Sequence, residues 1–355
     1  MKGFRYRQSG FTLIELMIGL TIGLFILLGV VMVYVSSARS QATSESLARV
    51  QESGRFATYM MAREVRQAGY MGSCPGSVNN LLDTSSSHYV EAFFDLDSPI
   101  RGWTGSAGAL SSHLSDYLRG DVLLITHAAR STNLKAKGAT PANAASISFD
   151  GDATLAPQGS ILLISDTYGC DLFQRANSGN GALARGAGTG GKQPGNVPPK
   201  TPWSHDYKDD MEINRLNAMV FYIGEGPGGE PALKQYLVDP ALGGGKTPLG
   251  IDTVLVEGVE EMRLRFGIDA DGDGAVDTGL DGFVAAKDVA DWKQVVAVQI
   301  ALLTISGGNV LAGVEQELYW PFDSNGNSTP DKVIAGDKSM RSVFTTTVSL
   351  RNRLP

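Results

Sequence analysis

Cysteine and histidine are scarce in this sequence, and their scarcity narrows the chemistry open to it. The 355 residues include two cysteines and four histidines. The histidines are scattered along the chain, at His88, His113, His127 and His205. Such scatter supports neither a zinc site nor a catalytic triad, and there is no G-x-S-x-G nucleophile motif. The sequence nominates no catalytic residue, and we expect a protein that is not an enzyme.

Positive charge is also scarce beyond the first ten residues. Lys2, Arg5 and Arg7 stand before a long apolar run, and the chain after them has 27 Lys and Arg against 37 Asp and Glu. A surface of net negative charge does not favour phosphate backbones, so we expect no direct binding to nucleic acid. The 43% hydrophobic content excludes disorder and predicts a sizeable core.

The apolar run "FTLIELMIGLTIGLFILLGVVMVYV", residues 11–35, has Glu15 as its only charged residue. As a helix it would be about 37 Å long, enough to cross a bilayer. It exceeds the apolar core of about 7 to 15 residues that a cleavable secretory signal has. The cations before it keep the N-terminus cytoplasmic, so the rest of the chain is exported.

Glu15 is unusual because it lies within this apolar run. Placing a carboxylate at membrane depth costs about 2.5 to 3.5 kcal/mol on insertion scales, so such an acid normally marks a cationic partner. The alternative is that Glu15, close to the start of the span, reaches back to the membrane surface.

The leader that ends in Gly10, followed by "FTLIEL", resembles the class III signal of type IV prepilins and pseudopilins. The resemblance implies that residues 1–10 are a leader, which a prepilin peptidase removes between Gly10 and Phe11 before methylating the new amine. In a filament, Glu15 of one subunit would then neutralise the Phe11 amine of a neighbour, which removes two lone charges from an apolar core.

The helical pattern continues beyond the apolar run. Residues 36–68 contain no proline, and one apolar stripe recurs at spacings of three and four, formed by Leu47, Val50, Gly54, Ala57, Met61, Val65 and Ala68. Gly69 is a natural C-cap. The pattern predicts a single helix over 11–68, about 87 Å long. We expect residues 11–35 to lie in the membrane or filament core and residues 36–69 to pack on the head.

Residues 70–355 are rich in turn residues and short β-forming runs. Strands are predicted at 120–127, 159–166, 215–224, 232–239, 252–269, 292–306 and 340–353. The Gly/Pro-rich segment 176–200 is predicted to be a flexible loop. The expected fold class is α+β and pilin-like: a long N-terminal helix packed on an antiparallel β-sheet head that is periplasmic or extracellular.

The head carries a second resemblance. "VLVEGVEEMRLRFGID", "WKQVVAVQIALL" and "RSVFTTTVSLRNR" look like the head of the PilW family, the large minor pilins of type IV pilus assembly. The resemblance implies a low-abundance subunit near the pilus tip that helps to initiate assembly. It implies an inner-membrane location before assembly and the cell surface afterwards. The implied partners are other minor pilins, the major pilin, a tip adhesin, the assembly platform and the prepilin peptidase.

Two other functions share the N-terminal pattern. A type II secretion pseudopilin of the J class has the same leader, but is usually a shorter chain. A periplasmic binding module or enzyme could use the helix only as an anchor, although an anchor needs neither cleavage after Gly10 nor Glu15.

Two further features of the head concern its chemistry. Cys74 and Cys170 are the only cysteines, and an exported head meets an oxidising compartment, so we expect one structural disulfide.

The segment "DADGDGAVDTGLD" resembles a calcium loop. Asp269, Asp271, Asp273 and Asp277 take ligand positions 1, 3, 5 and 9, and Ala275 offers its carbonyl at position 7. Position 12 is not an acid, and Asp281 is one residue late. Calcium is therefore the one cofactor that the sequence suggests, and an acidic turn without metal is the alternative.

Overall fold

The computed structural model describes residues 10–187, 191–198, 201–242, 250–277, 282–308, 310–311, 316–323, 330–333 and 336–353. A single helix, α1 (Leu13–Val65), opens the fold. It starts at Thr12, whose side chain accepts a hydrogen bond from the Glu15 amide while the Glu15 carboxylate accepts one from the Thr12 amide. This reciprocal capping box starts the helix two residues later than predicted.

The helix ends at Val65 rather than at Ala68, because residues 66–69 form a turn. Gly69 has a φ of 75°, a left-handed conformation that glycine adopts without strain. Its amide donates to the Thr126 carbonyl at 3.0 Å, which directs the chain into the head. Of the predicted apolar stripe, Leu47 is exposed and the other members are buried.

The remaining elements of the described residues are strands, a short α-helix, α2 (Glu91–Phe94), and several 3₁₀ helices of three residues each. The strands are β1 (Asn79–Asn80), β2 (Ile100–Trp103), β3 (Tyr117–Ser131), β4 (Lys135–Ala136), β5 (Ser146–Asp150), β6 (Ile161–Ser165), β7 (Cys170–Gln174), β8 (Ala182–Ala184), β9 (Glu212–Glu225), β10 (Pro231–Val238), β11 (Gly250–Glu257), β12 (Val259–Ile268), β13 (Phe283–Val284), β14 (Val295–Ile305) and β15 (Arg341–Ser349).

These strands form three sheets. The first has the order β1-β7-β6-β9-β10-β11, with β3 also paired to β9 and β2 to β3. The second has the order β13-β12-β14-β15, and the third the order β4-β5-β8. All pairs are antiparallel except β1 with β7. The α+β pilin-like fold class is therefore confirmed.

The prediction of one strand over 252–269 was wrong, because the chain changes sheets at Gly258. This residue has a φ of 74° and separates β11 of the first sheet from β12 of the second. Its amide donates to Pro231 O, and its carbonyl accepts from the Ile305 amide, both at 2.9 Å. The segment 176–200 also contains a strand, β8, where a flexible loop was expected.

The main core lies where α1 meets the first two sheets. Ala57, Met61 and Val65 of α1 are fully buried there, against side chains from both sheets such as Phe221 and Phe266. The third sheet belongs to a separate apolar cluster that comes mostly from residues 132–211, a segment that we call the distal lobe. The base of this lobe adjoins the end of α1, since Tyr70 shares a cleft with Leu134 and Met211.

Candidate assembly interface

The first half of α1 has no contact with the rest of the described chain. An 18-residue window of this helix is long and apolar enough to span a membrane, and none of it is buried. Its side chains, such as Phe11 at 90% exposure, require lipid or other subunits to cover them. The helix then continues without a break into the core of the head.

Gly10, Phe11 and Glu15 lie together at the start of this helix. Gly10 and Phe11 are exposed and precede the first helical residue, so the bond between them is outside the helix. Glu15 Oε2 lies 2.9 Å from both the Thr12 amide nitrogen and Thr12 Oγ1. The carboxylate therefore caps its own helix, a role that was not predicted although the T-x-x-E spacing signals it.

The side of α1 that carries Glu15 remains exposed over several turns of the helix. A shallow groove of about 510 Å³ is lined by Phe11, Glu15, Gly19, Gly23 and neighbouring leucines. The two glycines present no side chain, and a Cβ on either would meet nothing within 4 Å. A second helix can therefore approach closely beside Glu15.

The two cysteines are joined in a disulfide with a Cα–Cα distance of 5.4 Å. Cys170 begins β7, and the bond ties this strand to the segment that follows α1. The neighbouring Asp171 is fully buried. Its carboxylate accepts hydrogen bonds from Asn79, from the Ser204 amide at 3.1 Å and from Tyr207 Oη at 2.6 Å. The disulfide and this carboxylate together fasten three segments of the head.

The acidic loop after β12 brings three of its predicted ligands together. Carboxylate oxygens of Asp269, Asp271 and Asp273 lie within 4.8 Å of one another. Asp269 also accepts hydrogen bonds from the amides of Gly272 at 2.6 Å and Gly274 at 2.9 Å. These hydrogen bonds hold the pKa of Asp269 below its usual value, against the effect of desolvation.

The other predicted ligands of this loop are placed differently. The Ala275 amide donates to Asp273 Oδ1 at 2.8 Å. The Asp277 carboxylate accepts from the Ala270 amide at 2.8 Å and so closes the loop on itself. Asp281 lies outside the described residues. Backbone amides thus already account for part of the acidic character of this turn.

Comparison with known proteins adds to this geometry. Residues 5–31 match the model of the prokaryotic N-terminal methylation motif, and residues 220–352 match that of the type IV pilus-assembly protein W. No curated protein and no solved structure matches the chain. The chain combines a methylation motif with a helix whose first half is exposed and whose second half packs in a β-sheet head. This combination defines a type IV pilin-like protein.

Within that class, the match over residues 220–352 of the head supports a protein of the PilW type. The protein is anchored in the bacterial inner membrane by its N-terminal helix and then assembles into a pilus on the cell surface. It interacts with other pilus components and with the machinery that processes prepilins. The family match indicates a structural component of the pilus and names no cofactor.

Proposed function

We propose that this chain is a minor pilin that enters the type IV pilus at low copy number near its tip and helps to initiate assembly. The observation that carries the proposal is the unbroken helix, bare over its first half and packed in the head over its second. Such a helix can insert into a filament core only by exchanging lipid for neighbouring helices. The other minor pilins, the major pilin, a tip adhesin and the assembly platform are its proposed partners.

The distal lobe supports a location near the tip. It begins where α1 ends, at the end of the head remote from the membrane helix. If all subunits of a filament point the same way, this lobe faces the tip. Residues 32–219, which include the lobe, lie outside both family matches. A lobe at this end of the head fits best near the tip, where few subunits lie above it in the filament.

Processing follows the leader motif. We propose that the prepilin peptidase cleaves between Gly10 and Phe11 and methylates the Phe11 amine. Glu15 then exchanges its capping contact with Thr12 for the amine of an adjacent subunit. Mass spectrometry of the mature protein should find methylated Phe11 at the N-terminus, and an intact Met1 would contradict the proposal.

Variants of Glu15 test its role in assembly. Glu15→Gln keeps an acceptor for the capping box but removes the charge, whereas Thr12→Ala removes the cap and keeps the charge. We expect Glu15→Gln to be processed normally yet lost from sheared pili, and Thr12→Ala to be incorporated. Glu45, exposed on the same helix, provides Glu45→Gln as the control. Wild-type recovery of Glu15→Gln in sheared pili would refute the charge pairing.

Calcium at the acidic loop stays a prediction of the sequence. Without an acid at position 12, binding would be weak, about 10⁻⁴ to 10⁻³ M as in extracellular modules. Calcium should then raise the melting temperature of the purified protein, since a ligand of the folded state stabilises it, and Asp271→Ala should abolish the increment. The same melting temperature in millimolar calcium and in chelator would identify the loop as an acidic turn only.

A further inference from the structure

The outer edge of β15 is open in the described part of the chain. β15 is the last strand of the second sheet and pairs only with β14 there, over nine residues without a register shift. The open edge of a sheet presents a row of N–H and C=O groups to which another strand can pair.

The backbone groups at this edge can be assigned from the hydrogen bonds that flank the strand. Met340 O accepts from the Ser306 amide, and the Leu350 amide donates to Val296 O, both at 2.8 Å. Even-numbered residues therefore face β14, and odd-numbered residues face outward, because the two directions alternate. The Gln316 side chain binds both backbone groups of Arg341 at 2.8 Å.

Val343, Thr345 and Thr347 follow along the same edge. Within the described residues, their outward N–H and C=O groups have no hydrogen-bond partner. Three consecutive outward positions are enough for a short strand to pair in register.

This edge lacks the devices by which sheets usually avoid such pairing. Residues 342–349, "SVFTTTVS", contain no charge and no proline, and are rich in β-branched side chains. The edge strand of the first sheet, β11, differs from it. Its pairing with β10 has an irregularity at Leu233/Lys234, and it carries Asp252 and Glu257. One edge is protected and the other is suited to accept a strand.

A groove beside β15 indicates the chemistry of the partner. It lies between α1 and β15, has a volume of about 890 Å³, and is lined by Arg55, Tyr59, Arg66 and residues 342–346 of β15, among others. Glu52 is the only acid in its lining. In the described chain, neither arginine has an acidic group within 4 Å. Tyr59 is 60% exposed, and aromatic and arginine side chains are typical of binding hot spots.

We propose that the outer edge of β15 accepts an extended strand from a neighbouring pilus subunit, with acidic side chains of that strand lying against Arg55 and Arg66. Main-chain hydrogen bonds would supply affinity, and the two arginines would select the partner. The inference rests on the proposed function and specifies the surface through which the head joins its neighbour.

Thr345→Pro tests the strand pairing directly. Proline removes the outward N–H of residue 345 without removing a hydrogen bond to β14, whereas Thr345→Ala keeps the N–H. The amount of Thr345→Pro in sheared pili, relative to the amount in the membrane, should be about tenfold lower than for the wild type. A decrease of this size is expected when one or two hydrogen bonds between the strands, and adjacent ones, are lost. Thr345→Ala should be recovered like the wild type. Equal recovery of both variants would overturn the proposal.

The arginines give a second test that leaves the sheet untouched. Arg55→Glu/Arg66→Glu should fall in sheared pili by about tenfold or more, because like charges then face each other. The matched control is Arg39→Glu/Arg49→Glu, which makes the same charge change at exposed positions of α1 outside this groove. Equal recovery of the two double variants would overturn the acidic partner. Absence of the wild-type chain from sheared pili would instead overturn the proposed function, and this inference with it.

Discussion

Asp121 is a single carboxylate that joins the two main sheets. It lies on β3 of the first sheet, and its Oδ2 accepts a hydrogen bond from the Leu264 amide of β12 in the second sheet at 2.7 Å. Its Oδ1 accepts from the Gly105 amide at 2.8 Å. The residue is buried, and burial raises the pKa of its carboxyl to about 6, against the opposite effect of these two hydrogen bonds.

The raised pKa predicts a dependence of stability on pH. Between the unfolded value of about 3.9 and about 6, the folded protein holds a proton on Asp121 that the unfolded chain does not. This residue's contribution is therefore fully present below about pH 4 and is lost as the pH rises through 6. The free energy of unfolding, measured by urea denaturation between pH 4 and 7, should include a decrease as the pH rises through 6. Asp121→Asn should lack this decrease.

Asp121→Asn also tests the hydrogen bonds. Its amide oxygen can accept from one backbone N–H, but its NH₂ group must face the other, which leaves a buried donor unpaired. We expect a loss of about 1 to 3 kcal/mol in the free energy of unfolding at pH 7. The exposed Asp288→Asn provides the control. Equal stability of the two variants would show that water replaces the missing acceptor.

At the scale of elements, α1 packs on β15 through Gly54. A Cβ at this position would lie 2.1 Å from the Phe344 ring, so a larger residue forces the helix or the ring to move. Gly54→Ala gains helix propensity, yet we expect a net loss of about 1 to 3 kcal/mol through overpacking. Thermal unfolding measures the difference, with Glu52→Ala on the exposed face of α1 as the control. A stabilised Gly54→Ala would mean that the ring moves at little cost.

The disulfide connects elements that are 96 residues apart in sequence. In the chain-entropy model, a loop of this length stabilises the folded state by roughly 4 kcal/mol. Cys74→Ser/Cys170→Ser should therefore lower the melting temperature of the head and increase its proteolysis between β1 and β7. A double variant as stable as the wild type would show that the Asp171 hydrogen bonds suffice.

The sequence predicted the long elements of this fold better than the short ones. The apolar run and the strand patterns around β9, β12 and β14 are local, so they can be recognised without knowledge of the fold. β1 has two residues and pairs with β7 some ninety positions later, which no local pattern encodes. Gly258 lies within an alternating apolar pattern, and only contacts with Pro231 and Ile305 make it a crossing between sheets.

The features of the candidate site also divide into those that a local motif encodes and those that depend on the assembled fold. The sequence nominates Gly10, Phe11 and Glu15 because their motif is contiguous, and their roles stay predictions. The pairing of Cys74 with Cys170 could be predicted because no other cysteine exists, and the structure contains it. The open edge of β15 was not predicted, although its strand was. Whether a strand lies at an edge depends on what pairs beside it, and that is a property of the sheet.

At the scale of the whole molecule, the head should fold without the membrane half of α1. Buried residues of α1 begin only at Ser46 and Val50, so removal of residues 1–35 deletes no side chain that is buried in the described part of the chain. We expect this truncated chain to be soluble and to melt within a few degrees of the full chain in detergent, as measured by circular dichroism. A truncated chain that aggregates or melts much earlier would show that the membrane half supports the head.

The unbroken path of α1 into the core has a mechanical consequence for a filament under tension. Tension applied to the membrane half runs along the helix axis into the head, where β15 lies alongside α1 and runs in the same direction, with Phe344 at Gly54 and Asn352 at Ala68. Contacts arranged along the direction of tension share the load and must break together. Contacts arranged perpendicular to it would break one at a time. The head should therefore stay folded when tension is applied to it through its helix.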